Sequence, residues 1–564
     1  MRRGPPPRTA RPGAGGRACR PVPAGVGDPL DLVLAAGATV FLAGQIPPPD
    51  RWFAAGAAGL VVVLACAAVL AGRGGRGPRR RQAAGRWRGG APWRGGAPWR
   101  GGARWRGGAR WATAHDLRRL RVRPQGSRLV LGRAAGRIVA TEARHSVLVI
   151  GPTQSGKTTG LAIPAILEWD GPVVATSVKA DLVAGTARWR SSRGRCWVYD
   201  PTATAAVPAR HGWSPLSEAG TWSGAQRVAT WLVESTPSKA GLSDGGFWYA
   251  AASKLLAPLL LAAAVSGAGM AEVVAWTNLQ ETEAAERALG EAGEIDAGVA
   301  LFASSGRDER IKSSVYTTLE TVLAPFEDPV VAGSAHRHEI DPGQLLEGGH
   351  TLYLCGPAHE QARVQGVFAT LVSSVVHAAV ERVHRDGRAL EPPLLVVLDE
   401  VANIAPLRDL DTLASTAAGM GIQLVTVCQD LAQLAARYGP ERARTIANNH
   451  RAKVMLSGVA DVGTLDTLSG LAGEAAVREE TVTADLRDGR RTTTSSIAYR
   501  RLAPADELRR IRPGEGVLVY GHLPPARLTL RPWYAEPALR KRVEGPDVGE
   551  GRGGFSARPS KGSA

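Results

Sequence analysis

The chain has 564 residues and a net charge of +18, and it is long enough for several domains. Residues 1–111 hold 19 arginines against three aspartates, whereas the other 453 residues carry 50 basic and 48 acidic side chains. The basic charge therefore gives no argument for nucleic-acid binding by the larger part of the chain. Five cysteines without paired spacing argue against a disulfide framework or a zinc site and indicate a reducing compartment.

The first 72 residues predict a membrane anchor. Residues 1–27 are rich in Arg, Pro and Gly, which is typical of a disordered tail. Two apolar stretches follow, residues 29–44 and the charge-free residues 53–72, and we interpret them as membrane spans. Arginine clusters flank the pair, so the positive-inside rule places both termini in the cytoplasm and the proline-rich turn outside. A cleaved signal peptide is the alternative for the first stretch, against which the long segment before it and the lack of an Ala-x-Ala site argue.

A six-residue repeat follows the predicted hairpin. Residues 87–111 read Trp-Arg-Gly-Gly-Ala-Pro twice and Trp-Arg-Gly-Gly-Ala-Arg twice before a final Trp. A period of six matches neither helix nor strand and Gly-Gly disfavours both, so we predict a flexible linker. Trp and Arg together suit a membrane interface or stacking on single-stranded nucleic acid. A linker with no function of its own is the remaining interpretation.

The next motif is a phosphate-binding P-loop, because residues 151–158 read Gly-Pro-Thr-Gln-Ser-Gly-Lys-Thr. A strand-like run, residues 146–150, precedes it, and residues 158–167 can begin a helix. Backbone N–H groups of the turn would hold the β-phosphate of ATP, Lys157 would bridge the β- and γ-phosphates, and Thr158 would hold Mg²⁺. A chance glycine turn is the alternative. The predicted nucleotide-binding residues are Gly151, Thr153, Ser155, Gly156, Lys157, Thr158 and Thr159.

A helical block interrupts the strand-like segments further on. Residues 173–177 and 196–199 read as buried strands, and strand-like segments resume at residues 351–355. Between them, Ile311, Val315 and Leu319 repeat at a spacing of four, as in a helix. Residues 250–265 are apolar enough for a membrane span, but an internal lysine and proline favour a buried helix. The predicted segments are a basic tail (1–27), a transmembrane hairpin (28–72), a linker (73–111), an α/β ATPase core in two pieces (112–214 and 332–545), an all-α insertion (215–331) and a flexible tail (546–564).

Two later strand ends carry candidate catalytic groups. Residues 394–398 are a fully apolar run, as in a parallel sheet covered on both faces, and end in Asp399 and Glu400. Asp399 would hold Mg²⁺ through water and Glu400 would polarise the attacking water, unless the pair is an acidic helix cap. Residues 422–428 end at Gln429, which would sense the γ-phosphate or position the water, or is simply a turn residue. The predicted catalytic residues are Lys157, Glu400 and Gln429, and the predicted metal ligands are Thr158 and Asp399.

Local motifs across residues 109–539 resemble the type IV coupling proteins of the TraG/TraD kind. They are specific in sequence and spread over the whole globular part of the chain. They read Ala-Arg-Trp-Ala-Thr-Ala from Ala109, the P-loop from Gly151, Val-Lys-Ala-Asp-Leu from Val178, Leu-Asp-Glu-Val-Ala-Asn-Ile from Leu398, Gln-Asp-Leu-Ala-Gln-Leu from Gln429 with Tyr438-Gly439, Leu523-Pro-Pro, and Arg531-Pro-Trp-Tyr.

The resemblance implies a RecA-like P-loop NTPase core with an inserted all-α domain that recognises the substrate. It implies a homo-hexamer in the bacterial inner membrane, with the ATPase domain in the cytoplasm and with ATP and Mg²⁺ as cofactors. Its partners would be DNA with a relaxase, or a protein substrate, and the inner-membrane components of a secretion channel. On this resemblance, the nucleotide chemistry falls to Lys157, Thr158, Asp399, Glu400 and Gln429.

One departure from the family pattern leaves alternatives open. The resemblance leads us to expect an arginine shortly before the strand that ends at Gln429, but residues 418–421 read Ala-Gly-Met-Gly. Arg444 and Arg451 are the candidates to replace it. A secretion receptor that hydrolyses ATP little or not at all is therefore a second hypothesis. A third is an FtsK-like pump of double-stranded DNA, against which the two-span anchor and the Asp-Glu-Val-Ala-Asn sequence argue.

Overall fold

The computed structural model describes residues 108–121, 127–236, 245–484 and 491–545. The predicted N-terminal tail, the transmembrane hairpin at residues 28–72, nearly all of the repeat linker and the C-terminal tail from residue 546 lie outside the described residues. The described part therefore coincides with the predicted ATPase core and all-α insertion, apart from three short gaps.

The described residues form thirteen strands. Their bounds are β1 Val130–Ala134, β2 Arg137–Ala140, β3 Val147–Ile150, β4 Val173–Ser177, β5 Cys196–Tyr199, β6 Thr351–Cys355, β7 Leu394–Leu398, β8 Ile422–Cys428, β9 Ala452–Leu456, β10 Glu474–Ala484, β11 Arg491–Arg501, β12 Glu515–Tyr520 and β13 Ala526–Thr529. Eleven strands form one sheet in the order β2-β1-β13-β12-β9-β3-β8-β7-β4-β6-β5, and β10 pairs with β11 in a separate two-stranded sheet.

Helices of the described residues connect and cover these strands. Their bounds are α1 Ile163–Glu168, α2 Asp181–Ser191, α3 Trp222–Ser235, α4 Gly245–Ser266, α5 Met270–Leu279, α6 Glu283–Ala292, α7 Ile295–Ser305, α8 Glu309–Leu323, α9 Pro329–Ser334, α10 Pro342–Leu345, α11 Gln361–Asp386, α12 Leu410–Met420, α13 Leu431–Tyr438, α14 Pro440–Asn449, α15 Val462–Ala472, α16 Ala505–Arg509 and α17 Pro537–Glu544. A π-helical turn, Thr158–Ala162, leads directly into α1, so the helix predicted after the P-loop is confirmed.

Seven neighbouring strands of the large sheet, from β9 to β5, run parallel, and the other four continue it antiparallel. The central strand β3 pairs with β8 on one side and β9 on the other, with Ile150 opposite Cys428 and Met455. Because parallel strands end at the same edge of a sheet, the segments that follow β3, β4, β7 and β8 meet there. This edge is the place where an open α/β sheet forms its ligand site.

The parallel strands are buried on both faces. In β3, Leu148 and Ile150 contribute to the core on one side of the sheet, and Val147 and Val149 contribute to the core on the other side. All five residues of β7 are likewise buried, in the same alternating way. Strands covered on both faces must be apolar throughout, which is why their sequences are continuous apolar runs. The strands predicted at residues 173–177, 196–199, 351–355, 394–398 and 422–428 are confirmed.

The helical block packs on one face of the sheet. Val315 and Leu319 of α8 are buried in the same core as the sheet residue Leu398, whereas Ile311, which the predicted stripe included, is 37 % exposed. Between residue 215 and β6 the described residues contain helices and turns only, and α9 and α10 carry this pattern past residue 331. The block and the sheet thus share one continuous core.

Helices α4 and α11 are long and apolar enough to cross a membrane, among the described residues. However, 61 % and 67 % of the residues in their most apolar windows are buried inside the fold. Leu256 and Leu260 of α4, for example, are fully buried in the core of the helical block. The prediction that residues 250–265 form a buried helix is therefore confirmed.

The segment after β13 contacts and stabilises the helix that follows the P-loop. Arg531 is 4 % exposed and forms a bidentate ion pair with Glu168 at the end of α1, with distances of 3.1 and 3.0 Å between its two terminal nitrogens and the carboxylate oxygens. The neighbouring Leu530 lies so close to the start of this helix that a Cβ on Gly160 would come within 3.1 Å of it. The Arg531-Pro-Trp-Tyr motif therefore has a structural role next to the P-loop.

We expect Arg531→Ala to lower the free energy of unfolding by about 3–5 kcal/mol, because it leaves the carboxylate of Glu168 buried without its partner. Arg510→Ala is the matched control, since Arg510 pairs with Asp506 while both side chains are 69 % exposed. The control should cost less than about 1 kcal/mol. Chemical denaturation of the two purified variants measures their free energies of unfolding. An equal loss of this free energy in both variants would contradict the structural role of Arg531.

Candidate nucleotide-binding site

The P-loop connects β3 to the π-helical turn in a conformation that requires its glycines. Gly156 has a φ of 87°, in the left-handed region that favours glycine, and Gln154 adopts a φ of 65°. A Cβ on Gly151 would lie 2.6 Å from Ser155 Oγ, so the loop closes on itself too tightly for a side chain there. The side chain of Ser155 is buried, and its Oγ has no hydrogen-bond partner in the described part of the chain. Gly151 and Ser155 thus form the frame of the loop.

Lys157 lies inside this loop and is 8 % exposed. Its Nζ donates hydrogen bonds to the carbonyl oxygens of Gly151, at 2.8 Å, and Pro152, at 3.2 Å. A lysine held against carbonyl oxygens at the mouth of a Gly-rich loop can exchange these acceptors for phosphate oxygens. Phosphate binding by Lys157 therefore stays a prediction that this geometry permits.

The acidic end of β7 lies beside the P-loop. Thr158 Oγ1 donates a hydrogen bond to Asp399 Oδ2 at 3.3 Å, although the two residues are 241 positions apart in sequence. The backbone carbonyl of Asp399 accepts a hydrogen bond from Thr176 Oγ1 of β4 at 3.1 Å. The next residue, Glu400, has a φ of 53°, which is uncommon for a residue with a side chain.

The environment of Asp399 disfavours its charged form. Burial raises the pKa of this carboxyl to about 6, and the negative charges of Glu400 and Asp181 act in the same direction. The positive charge of Lys157 and the hydrogen bond from Thr158 oppose the shift. A divalent cation would reverse the balance, since it supplies positive charge where the carboxylates repel one another.

We expect the stability of the nucleotide-free protein to depend on this carboxyl between about pH 4 and pH 6. The pKa is higher in the folded than in the unfolded state, so the folded state binds the proton more tightly and stability falls as the pH rises through 6. Asp399→Asn removes the buried charge and should stabilise the protein at pH 7 by on the order of 2–3 kcal/mol.

Denaturation of wild-type and Asp399→Asn protein at pH 4 and pH 7, without Mg²⁺ and nucleotide, measures this pH dependence. The gain in stability should be present at pH 7 and nearly absent at pH 4. A gain of the same size at both values would show that the charge of Asp399 is not its cause.

A cavity of about 610 Å³ opens at this edge of the sheet. Its lining residues come from the P-loop and from the segments after β4 and β7. They are Thr153, Gln154, Gly156, Lys157, Thr158, Thr159, Val178, Lys179, Asp181, Asp399 and Glu400. Most of the predicted nucleotide-binding residues and both predicted acidic residues therefore line one cavity.

The structure places the other predicted residues differently. Gln429 follows β8 at the same edge but is not among the residues that line the cavity, and its backbone N–H donates to Gln433 Oε1 at 3.0 Å. Arg444 is exposed on α14, and Arg451 is exposed directly before β9. The segment that lacks the expected arginine ends α12, where Gly421 has a φ of 76°.

Four residues of the lining have no role in the sequence-based predictions. Gln154 belongs to the P-loop sequence. Val178, Lys179 and Asp181 belong to the Val-Lys-Ala-Asp-Leu sequence directly after the buried strand β4. The sequence signal was present, because a charged pair directly after an apolar strand marks the carboxyl end of that strand. This charged pair reaches the cavity because β4 lies next to β7, and that strand pairing is not visible in the sequence.

The residues fit a magnesium ion that is bound mainly through nucleotide and water. The described residues contain no group of three or more His, Cys, Asp or Glu side chains that could hold a metal by themselves. Mg²⁺ in nucleotide sites needs only one or two protein oxygens and keeps several waters. Thr158 Oγ1 and Asp399 Oδ2, which are 3.3 Å apart, supply such a pair.

A Gly-rich turn between a parallel strand and a helix, with an acidic strand end beside it, defines a P-loop NTPase fold of the RecA-like kind. Residues 110–549 match the family model described as "Type IV secretory system Conjugative DNA transfer", and the chain belongs to this family. The predicted resemblance to type IV coupling proteins is thereby confirmed.

Individual relatives agree with this assignment. The chain is 29 % identical over 383 residues to a conjugal transfer protein TraG of Escherichia coli, covering 62 % of this chain and 58 % of that protein. It is 25 % identical over 352 residues to a protein VirD4 of Rhizobium rhizogenes, covering 59 % of this chain and 50 % of that protein. The chain thus spans between half and three-fifths of the length of these two curated relatives.

Solved structures support the fold. The bacterial conjugative coupling protein TrwB in its unbound monoclinic form has a TM-score of 0.59 and 19 % identity, covering 75 % of this chain and 92 % of that chain. TrwB in complex with ADP and Mg²⁺ has a TM-score of 0.58 and 20 % identity, covering 75 % and 94 %. The predicted α/β, RecA-like core is therefore confirmed, while the predicted membrane hairpin lies outside the described residues.

Proposed function

We propose that this chain is a membrane-anchored ATPase that recruits DNA with a bound relaxase, or protein substrates, and drives them into a type IV secretion channel. The observation that carries the proposal is the meeting of Lys157, Thr158, Asp399 and Glu400 at one cavity. Two of these residues belong to the P-loop after β3. The other two directly follow β7, which lies two strands away in the same sheet. Family membership supplies the context of conjugative DNA transfer.

The proposed roles follow from the chemistry of each side chain. The P-loop amides and Lys157 would bind the phosphates of ATP, and Thr158 with Asp399 would hold Mg²⁺, which supplies charge neutralisation between the β- and γ-phosphates. Glu400 would take a proton from the attacking water. The water oxygen then bonds to the γ-phosphorus, the bond to the β-phosphate oxygen breaks, and ADP leaves with that electron pair. Gln429 would position the water or sense the γ-phosphate after a local rearrangement.

The relatives support nucleotide and Mg²⁺ as ligands. TrwB has been solved with ADP and Mg²⁺ and with a non-hydrolysable ATP analogue. Thr158 and Asp399 of this chain form a pair that suits Mg²⁺, and Lys157 lies where a phosphate would bind. We infer that this chain binds the same two ligands and that it hydrolyses ATP.

The wider assembly belongs to the same proposal. Residues 28–72 would anchor the protein in the bacterial inner membrane, with both termini and the ATPase in the cytoplasm, and six copies would form the ring. The helical block between α3 and α10 would recognise the substrate, and inner-membrane components of the channel would receive it. Arg444 or Arg451 would supply the arginine that reaches the nucleotide site of the adjacent copy, since both side chains are exposed.

ATP turnover by the full-length protein in lipid, with and without single- and double-stranded DNA, tests the proposal. We expect turnover that DNA stimulates, and more strongly when the DNA is single-stranded. A preference for double-stranded DNA would favour a pump of duplex DNA. A folded protein that binds ATP but does not hydrolyse it under any of these conditions would favour a substrate receptor, which the arginine-free segment at residues 418–421 makes a specific alternative.

A further inference from the structure

Lys179 lies in a short turn whose backbone is fixed by its neighbours. β4 ends at Ser177 and α2 begins at Asp181, so only three residues form the turn. Ala180 has a φ of 56°, and Ser177 Oγ donates a hydrogen bond to Asp181 Oδ1 at 3.3 Å. The turn is therefore held at both ends while the side chain of Lys179 is exposed and lines the nucleotide cavity.

The strand order sets where this lysine stands relative to the P-loop. The strands run β3-β8-β7-β4 across the sheet, so the turn after β4 and the P-loop after β3 lie on opposite sides of Asp399, which follows β7. The hydrogen bond from Thr176 Oγ1 to the carbonyl oxygen of Asp399 ties the β4 and β7 ends together. Lys157 and Lys179 consequently face the cavity from two different sides.

The two lysines differ in what they contact. Lys157 donates to the carbonyl oxygens of Gly151 and Pro152, whereas Lys179 makes no hydrogen bond or ion pair with any residue of the described part of the chain. The carboxylates of Asp181, Asp399 and Glu400 also line the cavity, so three acidic groups face two lysines. This second ammonium group has no partner among the residues described and lines the cavity together with Asp399 and Glu400. It could therefore bind the terminal phosphate of a nucleoside triphosphate.

We propose that Lys179 binds the terminal phosphate of ATP from the side of the cavity opposite Lys157. This inference rests on the proposed function, because it takes ATP as the ligand of the cavity. Negative charge on the terminal phosphoryl group and on the leaving oxygen of ADP is stabilised by nearby cations during hydrolysis. Residues 418–421 contain no arginine, and Lys179 is a cation that this chain supplies to its own site.

The affinities of the full-length protein for ADP and for a non-hydrolysable ATP analogue, both with Mg²⁺, test this inference without any turnover. A lysine that contacts only the terminal phosphate contributes to binding of the analogue and not to binding of ADP. We expect Lys179→Ala to lower the affinity for the analogue by about 10- to 100-fold, as for loss of a hydrogen bond to a charged group. The affinity for ADP should not change. Lys179→Arg should restore most of the preference for the analogue.

Lys541→Ala is the matched control, because Lys541 is exposed on α17 and does not line the cavity. It should change neither affinity. Equal weakening of analogue and ADP by Lys179→Ala would assign Lys179 a structural role, and unchanged affinities would show that it does not reach the nucleotide; either result overturns the inference. A wild-type protein that binds the analogue without hydrolysing ATP would contradict the motor function, while the ratio of affinities would still decide the role of Lys179.

Discussion

Lys157→Ala is expected to lower ATP turnover by roughly 10²- to 10³-fold, the loss that follows removal of one positioned group that stabilises developing charge. In the structure Lys157 is the buried cation of the P-loop, and the substitution leaves in place the backbone hydrogen bond from the Ser155 N–H to the carbonyl oxygen of Pro152, at 3.4 Å. Nucleotide affinity should fall as well, because the ammonium group contacts the phosphates in both the bound and the reacting state.

The fold should survive this substitution. The side chain makes two hydrogen bonds to loop carbonyls, which contribute about 1 kcal/mol each to stability. Phosphate release and thermal unfolding, measured on the same sample, separate the two effects. Lys541→Ala serves as the control for loss of a surface lysine. Wild-type turnover in folded Lys157→Ala protein would remove the P-loop from the mechanism.

Glu400→Gln should abolish turnover while nucleotide binding is retained. The amide has the shape of the carboxylate but cannot accept a proton from water, and loss of a general base costs typically 10²- to 10⁴-fold in rate. Glu400 lines the cavity next to Asp399, and it adopts a left-handed backbone conformation with a φ of 53° shortly after β7 ends. Since glutamine keeps a side chain of equal length at this position, we expect no change in the fold.

The same variant separates two interpretations of the acidic pair. If Glu400 only caps local structure, Glu400→Gln will turn over ATP at the wild-type rate. If it is the base, the variant will bind the ATP analogue with wild-type affinity and release no phosphate. Transfer supported in cells by a hydrolysis-deficient Glu400→Gln protein would point to a substrate receptor rather than a motor.

Much of the central sheet could be predicted because its strands are locally distinctive. Five of the predicted strands match the observed bounds residue for residue, since strands covered on both faces are continuous apolar runs between turns. The P-loop was equally readable, because its glycines and its lysine are required by the local backbone and by phosphate chemistry. These features depend on neighbours within about ten residues.

The strands that sequence reasoning missed lack such a local signature. β13 alternates buried and exposed residues over only four positions, and β9 carries Lys453, whose Nζ donates to the carbonyl oxygen of His450. The β10–β11 hairpin consists mainly of polar and exposed residues, so no apolar stripe marks it. Asp488-Gly489 in the sequence between these strands was an available hairpin signal.

The P-loop, the acidic strand end, the apolar strands and the family could all be recognised in the sequence, because each of these depends on residue types at short spacing. Which distant residues meet in space depends on the tertiary structure. The strand order β3-β8-β7-β4 brings Thr158 to Asp399 and Lys179 into the same cavity, and it leaves Gln429 outside the cavity lining. The physical reason is that strand order results from long-range burial of both sheet faces, and no local sequence pattern encodes it.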